Sequence, residues 1–316
     1  MKLKGNPFPG YENHYMSYMT GEEDELKAAK EAQAKDLFGY TLPEGMTMED
    51  KIIAGPDEGQ ELRIRIFTPA NIKKPAPMML EIHGGGWIGG SIDIDNYRCI
   101  AFAERVPCIV VCVDYRLSNA EVSYPKPLMD CYTAYMWMHD HAEEIGGDGS
   151  RIALHGTSAG GNLCAGLAMY LRDIDGPAPS LCILNCAPLT MDFTEDHSYH
   201  QWYELRMDGR STFAKGAEAT YDGKANLGMT LPPKYAFPGH AADVQGLCPH
   251  FIVAAEYDTL RDSSIKYGIR LLNAGIPCEM LVAPRVCHGF TTVHNAYTDQ
   301  VHDLMATSLK REFGLL

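Results

Sequence analysis

A chain of 316 residues with 46% hydrophobic side chains can bury one large α/β core or two small ones, which excludes a disordered protein. With 27 basic against 41 acidic residues the formal net charge is −14, so its surface does not attract nucleic acid or anionic membranes. The longest apolar runs, such as "CIVVCV" from Cys108, fall far short of the ~18–20 residues of a membrane span.

The N-terminal stretch "MKLKGNPFPGYENHYMSYM" has no continuous apolar run, and no signal peptide is expected from it. "GEEDELKAAKEAQAKDLFG" then reads as a charged helix, acidic at its start and basic later, as the helix dipole prefers. Residues 1–50 are set apart on this ground from the alternating core.

From about Glu61 strands alternate with helices. The strand candidates are 61–68, 78–84, 108–116, 151–156, 181–188, 250–258 and 278–284. The middle ones are nearly continuous apolar runs, as strands read when helices cover both sheet faces. Run 61–68 alternates more and is expected to be an antiparallel edge. Helices are expected over Pro127–Ile145, Ser158–Leu171, Asp262–Asn273 and Thr298–Phe313, the first with Leu128, Cys131, Tyr135, Met138 and Ala142 on one stripe. This alternation predicts a mostly parallel sheet flanked by helices. The core is divided into 51–187 and 250–316.

Between Pro188 and Pro249 about sixty residues join two strands, far more than a crossover requires. They are rich in aromatics, Trp202 and Tyr203 among them. Residues 188–249 therefore read as an insertion, either a surface elaboration or a lid. Of the ten cysteines, Cys108, Cys112, Cys182 and Cys186 fall in or beside strands, and Cys131 and Cys164 in helices. Such positions suit small buried hydrophobes, and no C-x-x-C pair exists to suggest a structural zinc. A reducing, cytoplasmic compartment is expected.

Three features carry chemistry. Gly156-Thr157-Ser158-Ala159-Gly160 is a G-x-S-x-G pattern between a strand and a helix, the context of a nucleophile elbow, which pushes a serine hydroxyl clear of the sheet. "HGGGW" places Gly84, Gly85 and Gly86 after another strand. Three glycines are costly in backbone entropy, but leave N–H groups unobstructed around a ligand. With the N–H of Ala159 they suit an oxyanion hole. A phosphate loop would add a lysine or a G-x-G-x-x-G spacing, and neither is present. His83 is read as structural.

A serine nucleophile needs a base, and the base an orienting acid, in the chain order serine, acid, histidine. His288, in a loop beyond the last strand, fits that order. His294 and His302 fall at or in the C-terminal helical stretch, and His240 and His250 precede the acid. For the acid, Asp258 stands where strand gives way to loop, with Glu256 in reserve and Asp262 as a helix cap. Trp87, Trp202 and Tyr203 are candidates for the substrate pocket.

Together, "HGGGW", "GTSAGGN", "EYDTLRD" and "HGF" resemble, in order and spacing, the hormone-sensitive lipase family of α/β-hydrolases over roughly residues 60–315. The resemblance implies Ser158, Asp258 and His288 as a triad, and Gly84, Gly85 and Ala159 as oxyanion donors. It further implies a cap built from the N-terminal segment and a late insertion, and a possible homodimer. Ser118-Asn119-Ala120-Glu121 after "DYRL", and Thr157 before the serine, depart from the family's usual residues. The reading is a serine carboxylesterase for short acyl esters, acetyl to hexanoyl, needing no metal or organic cofactor and binding no nucleic acid or membrane. An amidase or a deacetylase of sugars or peptides stays open as an alternative. More remote is a non-catalytic ligand-binding receptor, which would lack the histidine.

Overall fold

The computed structural model describes residues 7–12, 41–190, 196–202 and 233–316. The charged segment 21–39, Tyr203 and the middle of the insertion lie outside them. Eight strands form one sheet: β1 (Thr47–Ala54), β2 (Glu61–Thr68), β3 (Ala76–Ile82), β4 (Ile109–Val113), β5 (Gly147–Thr157), β6 (Cys182–Asn185), β7 (His250–Tyr257) and β8 (Cys278–Cys287). Their order is β1-β2-β4-β3-β5-β6-β7-β8. β2 pairs antiparallel with β1 and β4, and every other pairing is parallel.

The helices are α1 (Asn96–Arg105), α2 (Lys126–Asp140), α3 (Ala142–Ile145), α4 (Ala159–Asp173), α5 (His197–Trp202), α6 (Arg261–Asn273) and α7 (Ala296–Glu312). Two apolar layers result. Leu80, Ile82, Leu154 and Leu184 of the sheet pack with Leu128, Leu163, Leu167 and Leu271 from α2, α4 and α6. On the other face Met79, Val110, Ile183 and Val253 pack with Ile100, Phe102, Val301 and Leu309 from α1 and α7. β3 and β4 are buried along their whole length, which is why they read as nearly continuous apolar runs, interrupted in β3 by Glu81.

Two expectations change. β2 is antiparallel as expected, but β1 takes the edge, starting inside the segment set apart as 1–50. The helix expected over Pro127–Ile145 breaks at His141 into α2 and α3, and α3 closes on Gly146 in the left-handed region.

Polar groups are buried near the C-terminal ends of β3 and β5. Glu81 and His155 are paired residues of β3 and β5, fully buried, and Nδ1 lies 2.5 Å from Oε2. Burial pushes the Glu81 carboxyl well up and pulls His155 down to about 3. The pair is therefore neutral and shares one proton.

His250 differs. Its Nδ1–H donates to the Cys248 carbonyl at 2.8 Å, its ring meets Tyr267 edge-on, and burial pulls it to about 4. The unfolded chain takes up this proton near pH 6.5 and the folded one does not. Stability from this group is thus full above pH 6.5 and is lost as pH falls toward 4, by about 1.4 kcal/mol per pH unit. His250→Gln should flatten the pH dependence of urea unfolding between pH 6.5 and 4.5 by one proton. An unchanged slope would show that His250 is charged in the folded chain.

Candidate active site

The site is built where β3, β5, β7 and β8 release their chains at the same end of the sheet. β5 ends at Thr157 and α4 starts at Ala159, leaving Ser158 between them at φ 56°, ψ −121°. This is a sparsely populated conformation that surrounding structure must hold. The Ser158 N–H donates to the Asn185 carbonyl at 2.8 Å, which pins the turn to the end of β6. On either side of the serine a side chain has no room. A Cβ on Gly156 would strike the Gly160 backbone, and one on Gly160 would fall on the carbonyl oxygen of Ile82.

Ser158 Oγ lies 2.9 Å from Nε2 of His288, and Nδ1 of that ring lies 2.6 Å from Oδ2 of Asp258. Asp258 is almost wholly buried, and its other oxygen accepts the Leu260 N–H at 3.0 Å. Nδ1 thus donates to the carboxylate, which leaves Nε2 to accept from the serine hydroxyl. Glu256 is engaged elsewhere: its carboxylate accepts the Arg285 N–H at 2.7 Å and holds the strand that leads to His288. His294 is largely exposed near Asp299, while His250 and His302 are buried away from the serine's hydrogen bonds.

The glycine loop lies against the elbow. A Cβ on Gly84 would come within 2.8 Å of the Thr157 carbonyl and 3.4 Å of the Ser158 Cβ. Gly85 and Gly86 have φ of 130° and 63°. Ala159 is the first residue of α4, so its N–H is one of the helix's orphan donors, next to the serine. His83 is buried, stacks on Tyr115 at 4.2 Å and bonds the Gly84 carbonyl through Nδ1 at 2.9 Å. Burial lowers its pKa, so the ring is neutral and braces the loop.

The pocket expectations fare differently. Trp87 exposes no surface and belongs to the core, so adjacency to the glycine loop does not make it a pocket wall. Trp202 is also buried, with its ring 4.4 Å from that of Tyr257, the residue before Asp258. Tyr203 lies outside the described residues.

Asn185 and Thr291 have no counterpart in the sequence reading. The buried Asn185 amide bonds the Thr157 hydroxyl at 3.3 Å and the Thr291 hydroxyl at 3.0 Å, tying the elbow to the histidine loop. The only signal was a polar residue inside the apolar run "LCILNCAP". Thr157 thereby has a structural partner.

Cys186, Asp258 and His288 offer three ligand atoms within 4.8 Å of one another. They do not fit a resident metal. Both ring nitrogens of His288 already serve Asp258 and Ser158, and burial pushes the Cys186 thiol up to about 12, against the thiolate a metal needs.

The sequence profile described as the alpha/beta hydrolase fold matches residues 79–292. The chain belongs to this family, in its hormone-sensitive lipase branch. It is 34% identical over 249 residues to carboxylesterase NlhH of Mycobacterium tuberculosis, covering 79% of this chain and 76% of the relative. The arylesterase of Saccharolobus solfataricus is 31% identical over 256 residues, 78% of each chain. Among solved structures, a bacterial heroin esterase superimposes with a TM-score of 0.84 at 28% identity, over 97% of this chain and 99% of the other.

The packing at the elbow makes a direct prediction. Gly160→Ala forces a methyl onto the Ile82 carbonyl and should cost about 2–3 kcal/mol or more, lowering Tm by roughly 5 °C or more. Gly275→Ala, where a Cβ meets nothing within 4 Å, should cost only the left-handed strain, about 1 kcal/mol. Equal losses in thermal unfolding would contradict the packing account.

Proposed function

We propose that this chain is a serine carboxylesterase that hydrolyses short-chain acyl esters through an acyl-enzyme on Ser158. The observation that carries the reading is the unbroken line from Ser158 Oγ through His288 to the buried Asp258 carboxylate, at 2.9 and 2.6 Å. The names of the relatives, carboxylesterase, arylesterase and esterase, support the same reaction class.

Ser158 Oγ attacks the ester carbonyl carbon while its proton passes to Nε2 of His288. Asp258 fixes the imidazole tautomer and stabilises the imidazolium. The oxyanion that forms is met by N–H groups of Gly84, Gly85, Gly86 and Ala159, each such donor contributing on the order of 10²–10³ in rate. Collapse breaks the ester C–O bond, and the imidazolium delivers its proton to the leaving alcohol. Water then adds to the acyl-enzyme by the same route, His288 acting again as base, and releases the acid with Ser158 restored.

In this reading the cap is built from 188–249 and from the part of 1–50 that precedes β1. A buried Trp202 beside Tyr257 supports an aromatic wall next to the acid loop. A closed acyl pocket gains roughly 0.8 kcal/mol per methylene until it is full, then overpacking reverses the trend. No helix among the described residues is long and apolar enough to cross a membrane. The reading places the enzyme in the cytoplasm, and cysteines buried in the manner of small apolar side chains support a reducing compartment. The edge strand β8, with Met280 and Val282 exposed, supports a homodimer.

Two measurements test the reaction and its substrate. Asp258→Asn should lower kcat about 10⁴-fold, while Glu256→Gln costs far less. A larger loss in Glu256→Gln at equal stability would move the acid to Glu256. Across nitrophenyl esters from acetate to palmitate, kcat/KM should peak at about two to six acyl carbons. A maximum at about ten carbons or more would mean an open groove for long chains.

A further inference from the structure

The geometry points to Ser198 as a positioning residue: it fixes the turn that carries Asp258 and, through that turn, the imidazole of His288. The inference rests on the triad reading above. Ser198 lies in α5, inside the insertion, and its side chain is fully buried. Its hydroxyl donates to the Thr259 carbonyl at 3.0 Å, and its N–H donates to Oδ2 of Asp262 at 2.8 Å. The Asp262 N–H in turn donates to Ser198 Oγ at 3.2 Å.

These bonds amount to a helix cap supplied from another part of the chain. α6 starts at Arg261, and its own N-cap residue, Leu260, makes no side-chain capping bond. One of the helix's orphan N–H groups, that of Asp262, finds its acceptor in Ser198 instead. The same short turn holds the triad acid. Asp258 Oδ1 accepts the Leu260 N–H at 3.0 Å, and the Asp258 carbonyl accepts the Arg261 N–H at 3.3 Å. A turn displaced at Thr259 or Asp262 therefore rotates the carboxylate and lengthens its bond to Nδ1 of His288.

The insertion helix is itself anchored at both ends. Asp196, almost wholly buried, pairs with Lys266 of α6, and Trp202 packs on Tyr257. Residues 196–202 and the acid turn are thus packed as one unit, with Ser198 bonded directly to the turn.

Ser198→Ala is the test, assayed with nitrophenyl acetate. It should lower kcat about tenfold, the scale of a slightly misplaced catalytic group, with KM within about twofold. Active-site titration with diethyl p-nitrophenyl phosphate should count the same number of reactive serines per chain, each phosphorylated about tenfold more slowly. A loss of folded protein alone would lower that number and leave the rate at each site unchanged. In an Asp258→Asn background Ser198→Ala should have no further effect, since the acid it positions is gone. An unchanged rate at each titrated serine, or the same fold-loss in both backgrounds, overturns the inference. Near-normal activity of Asp258→Asn by itself would instead remove the triad reading beneath it. Should Ser198→Ala fail to fold, Asp262→Ala takes away the acceptor of the Ser198 N–H at a partly exposed position and must give the same pattern.

Discussion

The contact between Gly160 and the end of β3 governs the site. Because Gly160 lacks a side chain, the start of α4 lies directly on the Ile82 carbonyl. The elbow of β5 and the glycine loop of β3 meet at that contact, at the end of the pairing between the two strands. Ser158 is then forced into its strained backbone conformation, with Gly84 against its Cβ. Ser158 and the glycine loop share one packed joint, so neither can move without the other. The strain is held by the parallel pairing of β3 with β5, whose partners include the buried Glu81 and His155. A neutral pair sharing a proton avoids the desolvation cost of two buried charges at that joint.

The remaining groups reach this joint from the other side of β5. β7 delivers Asp258 and β8 delivers His288, and each has its own brace. Asn185 ties the elbow to Thr291 in the histidine loop, and Glu256 holds the backbone at Arg285. Ser198 reaches the acid turn from the insertion. Asn185 and Ser198 are fully buried, where a hydrogen bond is strong and its loss is costly, while the Glu256 bond lies at the surface.

That division explains what the sequence could reveal. The central strands were legible because burial on both faces leaves no polar alternation. β1 was not, because all but Ile53 of its residues are exposed and it has no apolar pattern to find. α1 was missed for the opposite reason: Asn96 and Arg98 are buried along with Ile100 and Phe102, so its polar residues mark no solvent face. Ser158, Asp258 and His288, which lie within hydrogen-bond reach of one another in the fold, could be singled out because the elbow pattern and the chain order ask for particular residues at particular places. Asn185, Thr291 and Ser198 stand in no motif, and only three-dimensional neighbours give them meaning. Trp87 shows the reverse error, since following the glycine loop in sequence says nothing about which way the ring turns.

The central claim is that Ser158 is the nucleophile, activated through His288. Mass spectrometry after treatment with diethyl p-nitrophenyl phosphate tests it most directly. The account predicts one phosphoryl adduct per chain, located on Ser158, growing in step with the loss of esterase activity. Full inactivation with the adduct on another residue, or activity that survives stoichiometric labelling of Ser158, would contradict it.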